Sequence, residues 1–234
     1  MSIYVITGAS RGLGLEFVKQ LSAKGSTVFA CARNPDQAEE LKKLVDNKKV
    51  YSIKLDTTNE QSLKSAVDEI SKHAPNGIDV LINNAGIALS WKTIDETDKD
   101  ELMKTFETNV AGVVETTNAF LPLLRKRGKD HTKKIVNISS RAGSIGGSDM
   151  QKAAAYKISK AALNMVTKLQ SLQLAEENFI VYSAHPGWVL TELGGPNAHI
   201  TPDVSIKGVI STIENATSKD NGGFINYEGE TIVW

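Results

Sequence analysis

The sequence predicts an α/β protein built on a doubly wound parallel sheet of about seven strands with helices on both faces. Short β-branched runs alternate with longer segments of helical period, the pattern of successive βα units. The strand-like runs are too apolar for a sheet with one wet face. No repeat, low-complexity tract or Pro/Gly-rich linker interrupts the alternation, so residues 1–234 read as a single domain.

The first strand is expected at IYVIT (Ile3 to Thr7), and the amphipathic stretch LGLEFVKQLSAKG that follows stops at Gly25, as a helix C-terminus should. TVFACA (Thr27 to Ala32) and VYSIKL (Val50 to Leu55) give the next two strands. NEQSLKSAVDEISKH then reads as a helix whose Asn59 and Ser62 can cap its first turn. Further strands are expected at DVLINN (Asp79 to Asn84), KIVNIS (Lys134 to Ser139), FIVYSA (Phe179 to Ala184) and GFINY (Gly223 to Tyr227).

Bulk properties exclude several classes of function. Lys plus Arg and Asp plus Glu balance at 27 each, and 41% of residues are hydrophobic, so neither disorder nor a nucleic-acid partner is expected. A single cysteine, Cys31, rules out an internal disulfide and suits a reducing compartment; at mid-strand it reads as a small buried apolar group. The opening MSIYVITGAS has no basic leader, and no apolar run approaches membrane-spanning length, so no membrane association is expected and the default location is cytoplasmic. The charge run RKRGKD reads as a solvated helix end and loop.

Two local features carry chemistry. TGASRGLG, with Gly8, Gly12 and Gly14, follows the first strand and opens a helix, which places free N–H groups and the positive helix end where a phosphate can sit. In Rossmann-type units an acid at the end of the second strand binds the ribose of NAD, whereas arginine accommodates the 2′-phosphate of NADP. Here that strand ends in Ala32 and Arg33 without an acid, and Arg11 in the glycine turn can approach the same region, so NADP(H) is favoured over NAD(H). The competing reading of each arginine is a solvated loop charge. In AAAYKISKAAL, Tyr156 and Lys160 stand four apart and share one helix face.

Together TGASRGLG, NNAG (Asn83 to Gly86), TNVAG (Thr108 to Gly112), IVNISS (Ile135 to Ser140), YKISK (Tyr156 to Lys160) and HPGWVLTEL (His185 to Leu193) run in order along almost the whole chain, which resembles the short-chain dehydrogenase/reductase family. The tail GGFINYEGETIVW and the brief segment after the Pro-Gly turn look most like its C-factor or sniffer-type carbonyl reductase branch. The resemblance implies a catalytic tetrad of Asn109, Ser140, Tyr156 and Lys160. Tyr156 would exchange a proton with the substrate oxygen, Lys160 would lower the phenol's pKa and bind nicotinamide ribose, Ser140 would hydrogen-bond that oxygen, and Asn109 would hold a water. For the cofactor it implies Gly8, Ser10, Arg11, Gly12, Leu13 and Gly14 at the turn, Arg33, Asp56 and Thr57 near the adenosine, and Asn83, Ala85 and Gly86 alongside. Tyr156 and Lys160 join them, with Pro186, Gly187, Val189 and Thr191 at the carboxamide.

The implied activity is NADPH-dependent reduction of ketones or aldehydes, reversible as alcohol oxidation, on a small-molecule substrate; the implied assembly is a homodimer or homotetramer, with no metal. A cofactor-binding regulator without turnover is the competing class, disfavoured by the intact Tyr156–Lys160 pair. A phenol titrating near pH ~10 needs about three units, or ~4 kcal/mol, of anion stabilisation to work near neutrality. An exposed ion pair gives only about 0.3–0.5 kcal/mol, so Lys160 must act in a partly dry cleft. The interval from Ser140 to Tyr156 is longer than usual for the family, so counting back from the tyrosine reaches Gly143 and Ser144. Ser140 is preferred because its strand delivers it at a carboxyl end, with Ser139 facing the other way. His185, beside the Pro-Gly turn, reads as structural. Trp91, Ile145 and Trp188 are candidate walls for the substrate, and the closing TIVW can fold back on its own core.

Overall fold

The computed structural model describes residues 2–234. Seven parallel strands, β1 (Ile3–Thr7), β2 (Thr27–Ala32), β3 (Val50–Lys54), β4 (Val80–Asn83), β5 (Lys133–Ile138), β6 (Phe179–His185) and β7 (Phe224–Asn226), form one sheet in the order β3-β2-β1-β4-β5-β6-β7. The connecting helices are α1 (Gly12–Ala23), α2 (Glu39–Lys42), α3 (Glu60–His73), α4 (Lys99–Phe106), α5 (Gly112–Arg125), α6 (Ala154–Gln173) and α7 (Pro202–Asn215). No helix among the described residues is long and apolar enough to cross a membrane. Asn59 caps α3 by accepting from the Ser62 amide, as its sequence predicts.

Because neighbouring strand residues point to opposite faces, each strand contributes to two cores. Tyr4, Ile6, Val28, Ala30, Val136 and Tyr182 pack with Phe17, Val18 and Leu21 of α1 and with Ile206, Val209 and Ile213 of α7. The residues between them, Val5, Phe29, Leu81, Ile135 and Val181, pack with Leu63 and Ile70 of α3 and with Phe120 and Leu124 of α5. Cys31 belongs to this second core, and burial pushes its thiol pKa far up.

On that second face the core changes character toward the carboxyl end of the sheet. Two residues after Leu81, Ile135 and Val181 stand Asn83, Asn137 and Ser183, all buried. Asn83 Nδ2 donates to Asn137 Oδ1 (2.8 Å) and Thr117 Oγ1 (3.0 Å). Asn137 Nδ2 donates to Thr167 Oγ1 (2.9 Å) and Gln170 Oε1 (3.1 Å), and Ser183 Oγ donates to Thr167 Oγ1 (2.9 Å). Such pairing offsets the cost of burying amides and tolerates few rotamers, which fixes α5 and α6 on the sheet.

At the amino end, Asp79 is buried against β1. Its Oδ2 accepts from the Ile3 amide (2.7 Å) and Arg127 Nη2 (2.8 Å), while Arg127 Nε and His131 Nε2 each lie 2.8 Å from Oδ1. Arg125 pairs with Glu177 through two 2.7 Å bonds. The expectation that RKRGKD is merely solvated is therefore corrected for both arginines. Gly128, at φ +83°, turns the chain back under the sheet, where carboxylates from distant segments wait.

β1 and β4 are neighbours although β2 and β3 lie to one side and β5 to β7 to the other, so the chain order reverses between them. Open α/β sheets bind ligands outside the carboxyl ends at such a reversal.

Replacing Arg127 with Ala leaves a buried carboxylate without its guanidinium, and a loss of about 3 kcal/mol is expected in urea unfolding at neutral pH. Arg125→Ala, which breaks a more exposed pair, is expected to cost less than ~1 kcal/mol in the same measurement.

Candidate active site

The turn after β1 is built for close approach. Gly8 and Gly12 take φ of +67° and +55°, a region that strains other residues. A Cβ on Gly14 would collide with the Gly8 carbonyl oxygen. No side chain caps α1, no acid occupies its first turn, and its first backbone bond runs from Leu15 N to Arg11 O. Amides of the Gly12–Gly14 turn are thus left to an outside acceptor, and the helix end favours an anion. Ser10 and Leu13 lie partly exposed on the same turn.

Asn84, inside NNAG, stitches this turn to β4. Its Nδ2 donates to the carbonyls of Thr7 (2.8 Å) and Gly8 (3.2 Å), while Thr7 Oγ1 accepts from the Asn84 and Ala85 amides, both at 3.0 Å. A Cβ on Gly8 would come 2.9 Å from Ala85 Cα. The Asn83 side chain, by contrast, is consumed by the sheet's polar layer, so only its backbone is left to line the crevice.

The segment after β6 closes over the same turn. Gly187, at φ +84°, lies against Ile200 and Tyr227, Val189 is buried and bridged to Ile200, and the Pro186 carbonyl accepts from Ser205 Oγ (2.5 Å). The Thr191 methyl is 3.7 Å from where a Gly12 Cβ would stand. Arg11 Nη1 pairs with Glu192 Oε2 at 2.8 Å on the exposed surface, and Arg33 stands exposed at the end of β2. Asp56 closes its own turn, accepting through Oδ1 from the Thr58 amide (3.0 Å) and hydroxyl (2.8 Å); Thr57 beside it is buried against Gly112.

At the other end of the crevice, Asn109 lies wholly buried in a π-helical turn, Glu107–Ala111, between α4 and α5. Its Nδ2 donates to Ile87 O (2.8 Å) and Ser159 Oγ (3.0 Å), and its Oδ1 accepts from Ile87 N (2.8 Å). The amide therefore ties the chain just beyond NNAG to the helix carrying Tyr156 and Lys160. Gly86 lies against both Asn109 and Lys160: a Cβ there would be 3.2 Å from Asn109 Oδ1 and 3.6 Å from Lys160 Nζ.

Lys160 is only 4% exposed, and its Nζ donates to Ile138 O (2.7 Å) while lying 5.6 Å from the centre of the Tyr156 ring. Burial lowers its pKa to about 8. Desolvation likewise pushes the Tyr156 phenol up to about 12, with a Ser140 hydrogen bond pulling the other way. Without cofactor or substrate, removal from water disfavours the phenolate more than Ser140 favours it.

The three serines separate cleanly. Ser140 Oγ accepts from the Ala142 amide (3.2 Å) and pulls the phenol's pKa down, Ser139 Oγ donates to buried Asn164 Oδ1 on α6 (2.7 Å), and Ser144 Oγ is engaged with Val233 O (2.6 Å). His185 has Nδ1 buried without a partner. Burial, with repulsion from Arg141, lowers its pKa to about 4, which keeps the ring neutral and supports a structural place at the end of β6. Trp91 is exposed, whereas Trp188 packs edge-on to His199 at 4.8 Å and donates Nε1–H to Gly194 O (2.7 Å).

A family model described as short chain dehydrogenase matches residues 2–199. An uncharacterized oxidoreductase of Schizosaccharomyces pombe is 35% identical over 98% of this chain and 97% of its own. The C-signal protein of Myxococcus xanthus is 36% identical over 67% of this chain and 93% of its own. Among solved structures, carbonyl reductase Sniffer of Drosophila melanogaster superposes with a TM-score of 0.96 at 35% identity, covering 100% of both chains. The NADPH-bound carbonyl reductase from chicken fatty liver gives 0.94 at 36% identity, covering 100% of this chain and 99% of that one. With a glycine turn at the sheet's reversal point and a buried Tyr–Lys helix at its mouth, this chain belongs to the short-chain dehydrogenase family of oxidoreductases.

Proposed function

We propose that the chain is an NADPH-dependent carbonyl reductase that acts on ketones and aldehydes and can run in reverse as an alcohol dehydrogenase. One observation carries this reading: Lys160, buried and donating Nζ–H to Ile138 O at the carboxyl end of β5, lies 5.6 Å from the Tyr156 ring, at the sheet end where the glycine turn stands. Two carbonyl reductases are near in structure, one of them NADPH-bound. The residues fit a dinucleotide, since uncapped amides at α1 suit a pyrophosphate and the Gly86 cradle leaves backbone open beside Lys160. Reduced nicotinamide, when bound, would supply a hydride to the carbonyl carbon.

The chain's own groups manage the oxygen. A phenol with its pKa near 12 is fully protonated at neutral pH, the form required to give a proton as negative charge builds on the substrate oxygen. Ser140 holds the same oxygen by hydrogen bond, which makes it more electrophilic at carbon. Lys160 uses one N–H on Ile138 O and keeps two for a ribose hydroxyl and the field at the phenolate left behind. Asn109 positions the backbone on which Gly86 and the helix of Tyr156 meet. Arg33, exposed where an NAD site would carry an acid, would bind the 2′-phosphate.

Tyr156→Phe removes one oxygen and should lower kcat by about 10²–10⁴-fold while NADPH affinity, read by fluorescence titration, stays within ~2-fold. An unchanged kcat would refute the proton role. Arg33→Asp should lower the ratio of kcat/KM with NADPH to that with NADH by at least ~10-fold, one bidentate charge contact being worth about 1.5–3 kcal/mol. Lys160 sets a pH dependence in the cofactor-free protein. Its folded pKa lies below the unfolded value, so between about 8 and 10.5 the unfolded chain binds more protons and the burden of burying the ammonium lightens as pH rises. The unfolding free energy of wild type is therefore expected to gain on that of Lys160→Met between pH 8 and 10, measured by urea titration at each pH.

A further inference from the structure

The residues after β7 turn back at once. Asn226 N donates to Glu230 O (2.8 Å), Gly229 takes φ +90°, Thr231 bridges Ile225, and Ile232 N donates to Phe224 O (2.7 Å). Trp234 then stacks on Phe224, with ring centres 5.3 Å apart, and Phe224 is buried in the sheet's last strand. From this anchorage the segment grips the loop that leaves Ser140. Ser144, buried, donates Oγ–H to Val233 O (2.6 Å) and accepts from Gly147 N (3.0 Å), and Gly146 N donates to Trp234 O (3.0 Å). A Cβ on Gly146 would stand 3.3 Å from Val233 Cγ1 and 3.4 Å from Trp234 O, so the loop lies close against the tail.

The loop is also fastened at both ends. Gly143 presses on the Lys160 backbone, where a Cβ would meet Lys160 C at 2.6 Å. Beyond the grip, Lys157 Nζ donates to Ser148 Oγ (3.0 Å) and to Met150 O, and Ala153 enters α6 at φ +60°. A left-handed non-glycine residue costs about 1–2 kcal/mol and persists only where its surroundings over-determine it. Between these fastenings Ile145 is 80% exposed, five positions after Ser140, and Met150 is exposed as well. An apolar side chain is thus held in water on the loop whose Gly143 packs against Lys160, a disposition that becomes favourable once an apolar ligand covers it.

We infer that the segment Thr231–Trp234 is a specificity-determining element: by holding the Ser144–Met150 loop it presents Ile145 to the apolar substituent of a bulky carbonyl substrate. The inference rests on the carbonyl reductase reading and adds to it a substrate class, ketones carrying an aryl or branched alkyl group next to the reacting carbonyl. Small carbonyls, too short to leave the Ser140–Tyr156 pocket, do not depend on the grip.

The test pairs diacetyl with its phenyl analogue acetyl benzoyl, each with NADPH, in wild type, in a chain ended after Ile232, and in Ser144→Ala. Ending the chain after Ile232 should raise KM for acetyl benzoyl by about tenfold or more, the worth of a lost apolar contact, and leave kcat and the diacetyl KM within ~2-fold. Ser144→Ala, which keeps the whole tail, should shift the same KM in the same direction by less, and it serves if the shortened chain fails to fold. Hydrogen exchange at the Gly146 and Gly147 amides should quicken in both variants. Quickened exchange with an unmoved KM overturns the specificity role, and unchanged exchange overturns the grip itself. Wild type that binds NADPH yet reduces neither diketone overturns the reductase reading first, a result visible before any variant is made.

Discussion

One ammonium set almost out of water is the constraint around which the active-site end of this protein is organised. Among the described residues the Lys160 ammonium has one hydrogen bond, from Nζ to Ile138 O, and its neighbours on two sides are glycine backbones, Gly86 and Gly143. Any side chain at Gly143 would displace the turn of α6 that carries the lysine, and any at Gly86 would crowd Asn109 and Nζ. Burial lowers the affinity of Lys160 for its proton and raises that of Tyr156, so the two partners are both held toward their neutral forms until a substrate and cofactor change the field. In the proposed reduction this is the useful resting state, because the phenol keeps the proton it is to give.

Holding such a group steady requires α6 to sit on the sheet without play. The apolar core cannot do this alone, since aliphatic packing tolerates small slides, whereas directional bonds do not. Asn83, Asn137 and Ser183 continue the side-chain rows of Leu81, Ile135 and Val181, and they engage Thr117 of α5 and Thr167 and Gln170 of α6. Polar rows therefore begin where the strands approach the site and apolar rows hold the remainder. At the amino end the Asp79–Arg127–His131 cluster ties β1 and β4 to the loop before β5, far from the reacting groups.

The loops divide along similar lines. The turns after β1 and β4 are locked together by Thr7 and Asn84, giving a rigid floor for an anion. The loops after β5 and β6 are instead held by segments that arrive later in the chain, Val233–Trp234 for one and Ile200 and Ser205 for the other. Cofactor-side geometry is thus set by neighbouring strands and substrate-side geometry by distant pieces, which lets the second vary without disturbing the first.

What the sequence by itself determined is everything governed by local period and local sterics. Strand positions followed from β-branched runs, the glycine turn from residues that alone accept positive φ at Gly8 and Gly12, the cap of α3 from Asn59, and the shared face of Tyr156 and Lys160 from helical spacing. Ser144 Oγ is taken up by Val233 O, a partner that no local pattern in the sequence announces. Only the tertiary structure decided that Asn83 serves the sheet while Asn84 serves the turn, that Arg11 pairs with Glu192, that Arg127 neutralises Asp79, and that Trp234 closes over the loop beyond Ser140. Each of these joins residues far apart in the chain, and the sign of a phenol's pKa shift depends on how much water the assembled walls exclude. Periodicity records which way a side chain points along its own element; which partner meets it, and how dry the meeting place is, exists only after the sheet has formed.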